Sequence, residues 1–155
     1  MSKILIIEDE TIISFGYRLQ LERMGFEVIG TARSSAEAED LLRNERPDLI
    51  IMDIYLKGEK NGLELAQEIH ATDPIPIIFL TAAFKSEEFQ QRGYAIGAVD
   101  YLLKPIEDNQ FINKISTYFR LIEKERALNQ VLERQVAERT AELAQAKQYL
   151  DALGP

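Results

Sequence analysis

The chain has 155 residues, 46% of them hydrophobic, enough for one ordinary domain with a packed core plus an extension and too apolar for global disorder. It contains no cysteine, which excludes disulfides, thiolate metal sites and cysteine nucleophiles together and fits a reducing, cytoplasmic setting. The net charge of −8 opposes a phosphate backbone, so no direct nucleic acid binding is expected; with no signal peptide and no apolar run of membrane-spanning length, no membrane insertion is expected either.

In chain order, short continuous apolar runs alternate with longer helix-periodic ones. The runs 3-KILII-7, 27-EVIGT-31, 48-DLIIM-52, 76-PIIFL-80 and 99-VDYLL-103 read as strands buried on both faces. Between the first two, Ile12, Phe15, Leu19 and Met24 suit a helix. Ala38, Leu41 and Leu42 suit a second, opened by Ser34 or Ser35 as a cap. Leu63, Leu65, Ala66 and Ile69 suit a third, and Phe89, Tyr94 and Ile96 a fourth. Turn signals separate them at Gly25, Gly30, Asn61-Gly62, Asp73-Pro74 and Gly97. Strand alternating with helix implies a parallel α/β sheet with helices on both faces. From Glu107 to about Leu153 there is no Pro, no Gly and no strand-like run, so one long helix is expected. Such a helix is too long to pack wholly on a small sheet, and its distal half needs another partner.

The third apolar run ends on a carboxylate, Asp53, and a loop rich in Gly and charge follows. In a parallel α/β sheet, ligands bind outside the carboxyl ends of the strands. That rim receives Glu8, Asp9 and Glu10 from the first strand, Asp53 from the third, Thr81 and Ala82 from the fourth, and Lys104-Pro105 from the fifth. Gathered carboxylates repel one another and need a cation, and hard oxygens with room for water suit Mg2+. A carboxylate beside such a cation can act as a nucleophile toward phosphorus, with Lys104, the Thr81 hydroxyl and the Ala82 amide available to hold phosphoryl oxygens. Glu10 reads better as an acid at a helix N-terminus, and Pro105 as a residue that fixes the strand exit.

The set Glu8-Asp9, Asp53, Thr81-Ala82 and Lys104-Pro105, in this order and spacing, resembles the receiver domain of a two-component response regulator over about residues 1–120. The resemblance implies a flavodoxin-like fold, a five-stranded parallel sheet of order 2-1-3-4-5. It implies that Asp53 is the phosphoacceptor, that Glu8, Asp9, Asp53 and the Tyr55 carbonyl hold Mg2+ or Mn2+, that Thr81 is the switch hydroxyl, that Lys104 binds phosphate, that Tyr101 changes rotamer on activation, and that Pro105 is a cis-turn candidate. It further implies a histidine kinase or phosphotransfer protein as partner, and no enzyme activity beyond the domain's own phosphorylation and dephosphorylation. Two departures stand out: Leu56-Lys57-Gly58 where Met-Pro is common, with a loop one residue longer up to Gly62, and Glu8 where Asp is more frequent.

Other classes fit less well. An Asp-nucleophile phosphohydrolase needs an acid two residues after the nucleophile, where this chain has Tyr55. A flavin or dinucleotide site needs a phosphate-cradling loop after the first strand, where this chain has acids. A receiver-like scaffold acting only through protein contacts is the remaining alternative. His70, on the third helix, reads as an ordinary surface residue.

Residues 121–155 form the second expected domain, a helical extension. Heptads counted from Ile115 place Ile115, Ile122, Asn129, Val136, Leu143 and Leu150 at a, and Tyr118, Glu125, Leu132, Arg139, Ala146 and Leu153 at d. This coiled-coil pattern predicts a homodimer through the C-terminal helix, the alternative being a single amphipathic helix that folds back on the receiver. The stretch 131-VLERQVAERTAEL-143 resembles signalling-helix linkers, which suits a fragment of a larger regulator or hybrid sensor kinase; a single-domain regulator with a helical tail is the competing reading.

Overall fold

The computed structural model describes residues 2–82, 91 and 95–154. Its elements are β1 (Lys3–Ile7), α1 (Thr11–Arg23), β2 (Glu27–Ala32), α2 (Ser35–Asn44), β3 (Leu49–Asp53), α3 (Gly62–Thr72), β4 (Ile77–Ala82), β5 (Ala98–Lys104) and α4 (Asp108–Ala152). The strands form one parallel sheet in the order β2-β1-β3-β4-β5. This is the flavodoxin-like doubly wound arrangement, as expected from the sequence. The helix expected around Phe89 and Tyr94 lies outside the described residues, and Ile96 sits in the turn that leads into β5.

The central strands are apolar on both sides, so each supplies two core layers. One layer holds Leu5, Ile7, Ile50, Met52, Ile77 and Phe79, packed with Ala38 of α2 and with Leu63, Leu65, Ala66 and Ile69 of α3. The alternate strand residues Ile4, Ile6, Ile51, Ile78, Leu80 and Leu102 are also buried, as are Tyr17 and Leu21 of α1 and Phe111 of α4. The Tyr17 and Phe111 rings stack with centroids 4.7 Å apart.

Helix α1 departs from the sequence pattern in an informative way. Its buried residues are Ser14, Tyr17 and Leu21, whereas Ile12 is 88% exposed and Phe15 59% exposed. Tyr17 and Leu21, one turn apart, set which side meets the sheet, and the Ser14 hydroxyl is satisfied by the Thr11 carbonyl. The more apolar stripe is therefore left facing solvent.

Local signals fix the helix starts. Ser34, not Ser35, caps α2, accepting the Glu37 N–H at 3.3 Å. Asn61, which the sequence marks as a turn residue, caps α3 in a reciprocal capping box with Glu64. Gly62 follows it because nothing larger fits: a Cβ there would lie 2.2 Å from the Asp53 carbonyl oxygen. The loop between β3 and α3 is anchored by Ile54 and Leu56, both buried, so Leu56 fills a core place within the unusual Leu56-Lys57-Gly58 sequence.

The chain divides into two compact units, Met1–Ile112 and Asn113–Pro155. The first contains the sheet. The second is helical, continuing α4, and exposes Leu121, Leu128, Leu132, Val136, Leu143, Leu150 and Leu153. Among the described residues, no helix is long and apolar enough to cross a membrane.

The Gly62 contact predicts a contrast between two glycines. Gly62→Ala must push α3 away from Asp53 and should destabilise the chain by about 1–3 kcal/mol. Gly16→Ala, within α1 and with nothing within 4 Å of the added methyl, should stabilise it by about 0.5–1 kcal/mol. Urea unfolding midpoints measured side by side test both signs.

Candidate functional site

The register of the sheet builds the site. Ile7 pairs with Met52, so the next residues, Glu8 and Asp53, emerge side by side. Asp53 pairs with Leu80, Leu80 with Leu102, and Ala82 with Lys104. Because strand side chains alternate between faces, Glu8, Asp53 and Lys104 fall on one face and Thr81 on the other, in line with Phe79. The side chains confirm the first grouping. Lys104 Nζ donates to Glu8 Oε2 at 2.8 Å and to Asp53 Oδ2 at 3.1 Å. Asp53 Oδ1 accepts the Tyr55 N–H at 2.9 Å, and Glu8 Oε1 accepts the Glu10 N–H at 3.2 Å.

Glu8 and Thr81 are fully buried and Asp53 is 5% exposed. Glu8, Asp9 and Asp53 each bring a carboxylate oxygen within 4.8 Å of the others. Two buried atoms at this rim, Asp9 Oδ2 and Thr81 Oγ1, have no hydrogen-bond partner among the described residues. Buried polar atoms are normally satisfied, so an acceptor and a hydroxyl left bare beside a carboxylate cluster indicate a ligand of both kinds, a hard cation for the one and an acceptor-rich group for the other.

Burial dominates the Glu8 carboxyl and pushes it up to about 7; the Asp53 charge adds to this, while Lys104 and the Glu10 N–H oppose it without prevailing. Burial also works to lower the Lys104 ammonium, but the hydrogen bond to Glu8 and the charges of Asp53 and Glu8 outweigh it and the net shift is upward. Lys104 is therefore a held cation shared by two acids.

The structure thus brings Glu8, Asp9, Asp53 and Lys104 together, with Thr81 and Ala82 ending the neighbouring strand. Tyr55 enters through its backbone, while its side chain is exposed. Tyr101 is half-buried one strand away from Thr81 and stacks on Phe79 at 5.7 Å. The Lys104–Pro105 peptide is cis. His70 is exposed on α3. Three features escaped the sequence reading: the Gly62 contact with Asp53, the Tyr17–Phe111 stack, and Lys60. The last bridges Glu39 of α2 at 3.0 Å and Glu68 of α3 at 2.7 Å, and so ties down the loop that follows Asp53. The Asn61…Glu64 spacing is a capping-box signature that could have located the start of α3.

A doubly wound parallel sheet with acids, a hydroxyl and a lysine at its carboxyl rim is the arrangement that the receiver resemblance implies. Sequence comparison names the family: residues 4–116 match the response regulator receiver domain, and the chain belongs to it. It is 38% identical over 125 residues to the transcriptional regulatory protein AfsQ1 of Streptomyces coelicolor, covering 81% of this chain and 54% of that protein. It is 37% identical over 123 residues to the phosphate regulon transcriptional regulatory protein PhoB of Rhizobium meliloti, covering 77% and 53%. The chain thus spans about half the length of the curated relatives it matches. Among solved structures, a CheY-like response regulator receiver domain protein from Methanospirillum hungatei superposes with a TM-score of 0.71 at 29% identity, covering 81% of this chain and 98% of that one. The signal receiver domain of a modulated diguanylate cyclase from Desulfovibrio desulfuricans gives a TM-score of 0.69 at 31% identity, with the same coverage. The chain is a receiver domain of the two-component response regulator type, followed by a long helix.

The Glu8 environment gives a signed pH dependence for the metal-free protein. Its folded carboxyl titrates near 7 against an ordinary value of 4.5, so the folded state holds the proton more tightly. The stability this adds is complete below the ordinary value and is lost as pH rises through about 7, a swing of about 3 kcal/mol. In chelator, Glu8→Gln should flatten that part of the stability–pH curve. An unchanged slope in urea melts from pH 4.5 to 8 would show that Glu8 is not its source.

Proposed function

We propose that Asp53 accepts a phosphoryl group from a histidine kinase or a phosphotransfer protein, and that the domain signals by the resulting change in protein contacts. The observation that carries this reading is the buried Asp53 carboxylate, hydrogen-bonded to Lys104, beside an Asp9 oxygen and a Thr81 hydroxyl that have no partner among the described residues. Glu8, Asp9, Asp53 and the Tyr55 carbonyl are the groups that would hold Mg2+ or Mn2+, and the donor set of clustered hard oxygens fits such an ion. When bound, it supplies positive charge against which a phosphoryl group can approach three acids.

In this reading an Asp53 carboxylate oxygen attacks phosphorus, the bond from phosphorus to the donor's imidazole nitrogen breaks, and the imidazole leaves with its electron pair. Lys104 neutralises the added charge, and the Thr81 hydroxyl and Ala82 N–H donate to phosphoryl oxygens. Catalysis is limited to the domain's own phosphorylation and dephosphorylation. Tyr101 lies one strand from Thr81 with its ring on the same sheet layer, which supports it as the aromatic that follows the hydroxyl. The partner must approach the acid rim, and α1 offers Ile12, Phe15 and Leu19 exposed beside it as an apolar seat. The acidic surface favours a protein partner over nucleic acid; the boundary we propose lies near residue 120, within a larger cytoplasmic regulator or hybrid kinase, whereas the two compact units divide between Ile112 and Asn113.

Intact-mass measurement with acetyl phosphate tests the chemistry. One phosphoryl group should be added only when Mg2+ is present, and Asp53→Asn should abolish it. Equal labelling of that variant, or labelling that survives chelator, would sink the assignment.

The second unit supports a homodimer, with a second copy of the chain as the occupant of its apolar stripe. Val136, Leu143 and Leu150 at a, and Leu132 and Leu153 at d, are all exposed, and burial of each side chain contributes roughly 1.5–3 kcal/mol. Asn129 at a central a position favours two strands in one register, while Glu125 and Arg139 at d weaken the seam. Light scattering at tens of micromolar should give a dimer for the whole chain and a monomer for a version ending at Arg120. Two monomers, or two equal dimers, would remove the helix as the dimerisation element.

A further inference from the structure

The helical second unit exposes its apolar residues at a spacing that an uninterrupted heptad does not give. Leu121, Leu128, Leu132, Val136, Leu143 and Leu150 are all exposed, and they follow one another at steps of 7, 4, 4, 7 and 7 residues. Heptad core positions alternate steps of 3 and 4, so two consecutive steps of 4 shift the phase. On a straight helix turning about 100° per residue, all six fall within about 80° of one another. Leu153, also exposed, borders the same stripe.

The heptad counted from Ile115 coincides with this stripe only from Leu132 onward. Ile115 is fully buried, so it has no surface to offer another chain. Ile122 is half-buried and Asn129 is polar. On the same straight helix they stand about 80° and about 60° from Leu132, on the side away from Leu128. Leu121 and Leu128 are each more than half exposed and lie within the stripe. Covering a leucine removes apolar surface from water, whereas covering an asparagine strands an amide that needs a partner. Val131 and Tyr149, the other exposed large residues here, lie about 100° off the stripe.

We infer that a second copy of the chain pairs in parallel through Leu121 and Leu128 as well as through the distal heptads, and that the seam changes phase between Leu128 and Val136. This rests on the homodimer reading and specifies its proximal half, with pairing through Ile122 and Asn129 as the competing phase. Parallel pairing in register sets each residue of the stripe against its own copy and covers Leu150 and Leu153 with the rest. An antiparallel pair centred on Leu132 sets Glu125 against Arg139, an exposed pair of small worth. It also puts Leu150 opposite Lys114 and Leu153 opposite the already buried Phe111, so more apolar surface stays wet. Leu121, Leu132 and Leu143 are 11 residues apart, close to a whole number of helical turns, so the pair needs little left-handed winding over that stretch.

Disulfide capture on the whole chain tests it, since the chain has no cysteine of its own. The single substitutions Leu121→Cys, Ile122→Cys, Leu128→Cys, Asn129→Cys, Leu132→Cys and Leu143→Cys are oxidised at the concentration used for light scattering. The rate of covalent dimer formation is read on non-reducing gels. Leu121→Cys and Leu128→Cys should react about tenfold faster or more than Ile122→Cys and Asn129→Cys, because a disulfide needs Cβ atoms about 4 Å apart. Leu143→Cys reports the distal seam that both phases share. Fast capture by Leu143→Cys, with Ile122→Cys and Asn129→Cys ahead of Leu121→Cys and Leu128→Cys, overturns the inference and leaves the homodimer standing. Capture confined to Leu132→Cys shows an antiparallel pair and also overturns it. No capture by any variant, with a monomer by light scattering, removes the homodimer reading and this inference together.

Discussion

Burying acids at a sheet rim is costly, and the structure is organised around how that cost is offset. Isolated buried carboxylates lose hydration that no apolar neighbour replaces. Here Lys104 serves Glu8 and Asp53 together, and backbone N–H groups of Tyr55 and Glu10 take their remaining oxygens. Lys104 can do this only because β5 lies two strands from β3 in a register that puts positions 53, 80, 102 and 104 on one face. A one-residue slip anywhere between β3 and β5 would send the ammonium into the opposite layer and leave two acids unpaired. Sheet register and site chemistry are therefore a single constraint.

At the same rim, Asp9 Oδ2 and Thr81 Oγ1 have no hydrogen-bond partner among the described residues. Thr81 lies on the layer where Phe79 and Tyr101 stack, so what reaches its hydroxyl can be felt on the far side of the sheet from Asp53.

Much of this was legible in the sequence because the strands carry an unambiguous signal. Five continuous apolar runs gave the parallel sheet, and reading each run to its end gave Glu8, Asp53, Thr81 and Lys104 together. Helix facing was harder. In α1 the apolar residues Ile12, Phe15 and Leu19 suggest a core stripe, yet Ser14, Tyr17 and Leu21 are the buried ones. Periodicity registers the existence of an apolar side, but a helix whose apolar residues exceed what the sheet can cover has more than one candidate face, and only tertiary packing chooses. Gly62 was illegible for a related reason. Its lack of a side chain answers a backbone contact with Asp53 that no local pattern encodes.

The loop after Asp53 shows how this domain can vary without losing its chemistry. Ile54 and Leu56 are sunk in the core and Gly62 locks the far end, while Lys57, Gly58 and Glu59 between them are exposed. Anchors at both ends separate Asp53 from the tip, so substitutions and length changes there can be absorbed locally. The tip can therefore drift under selection for a new interlocutor while Asp53 stays as it was, and in the laboratory it is the natural place to splice in a foreign recognition peptide.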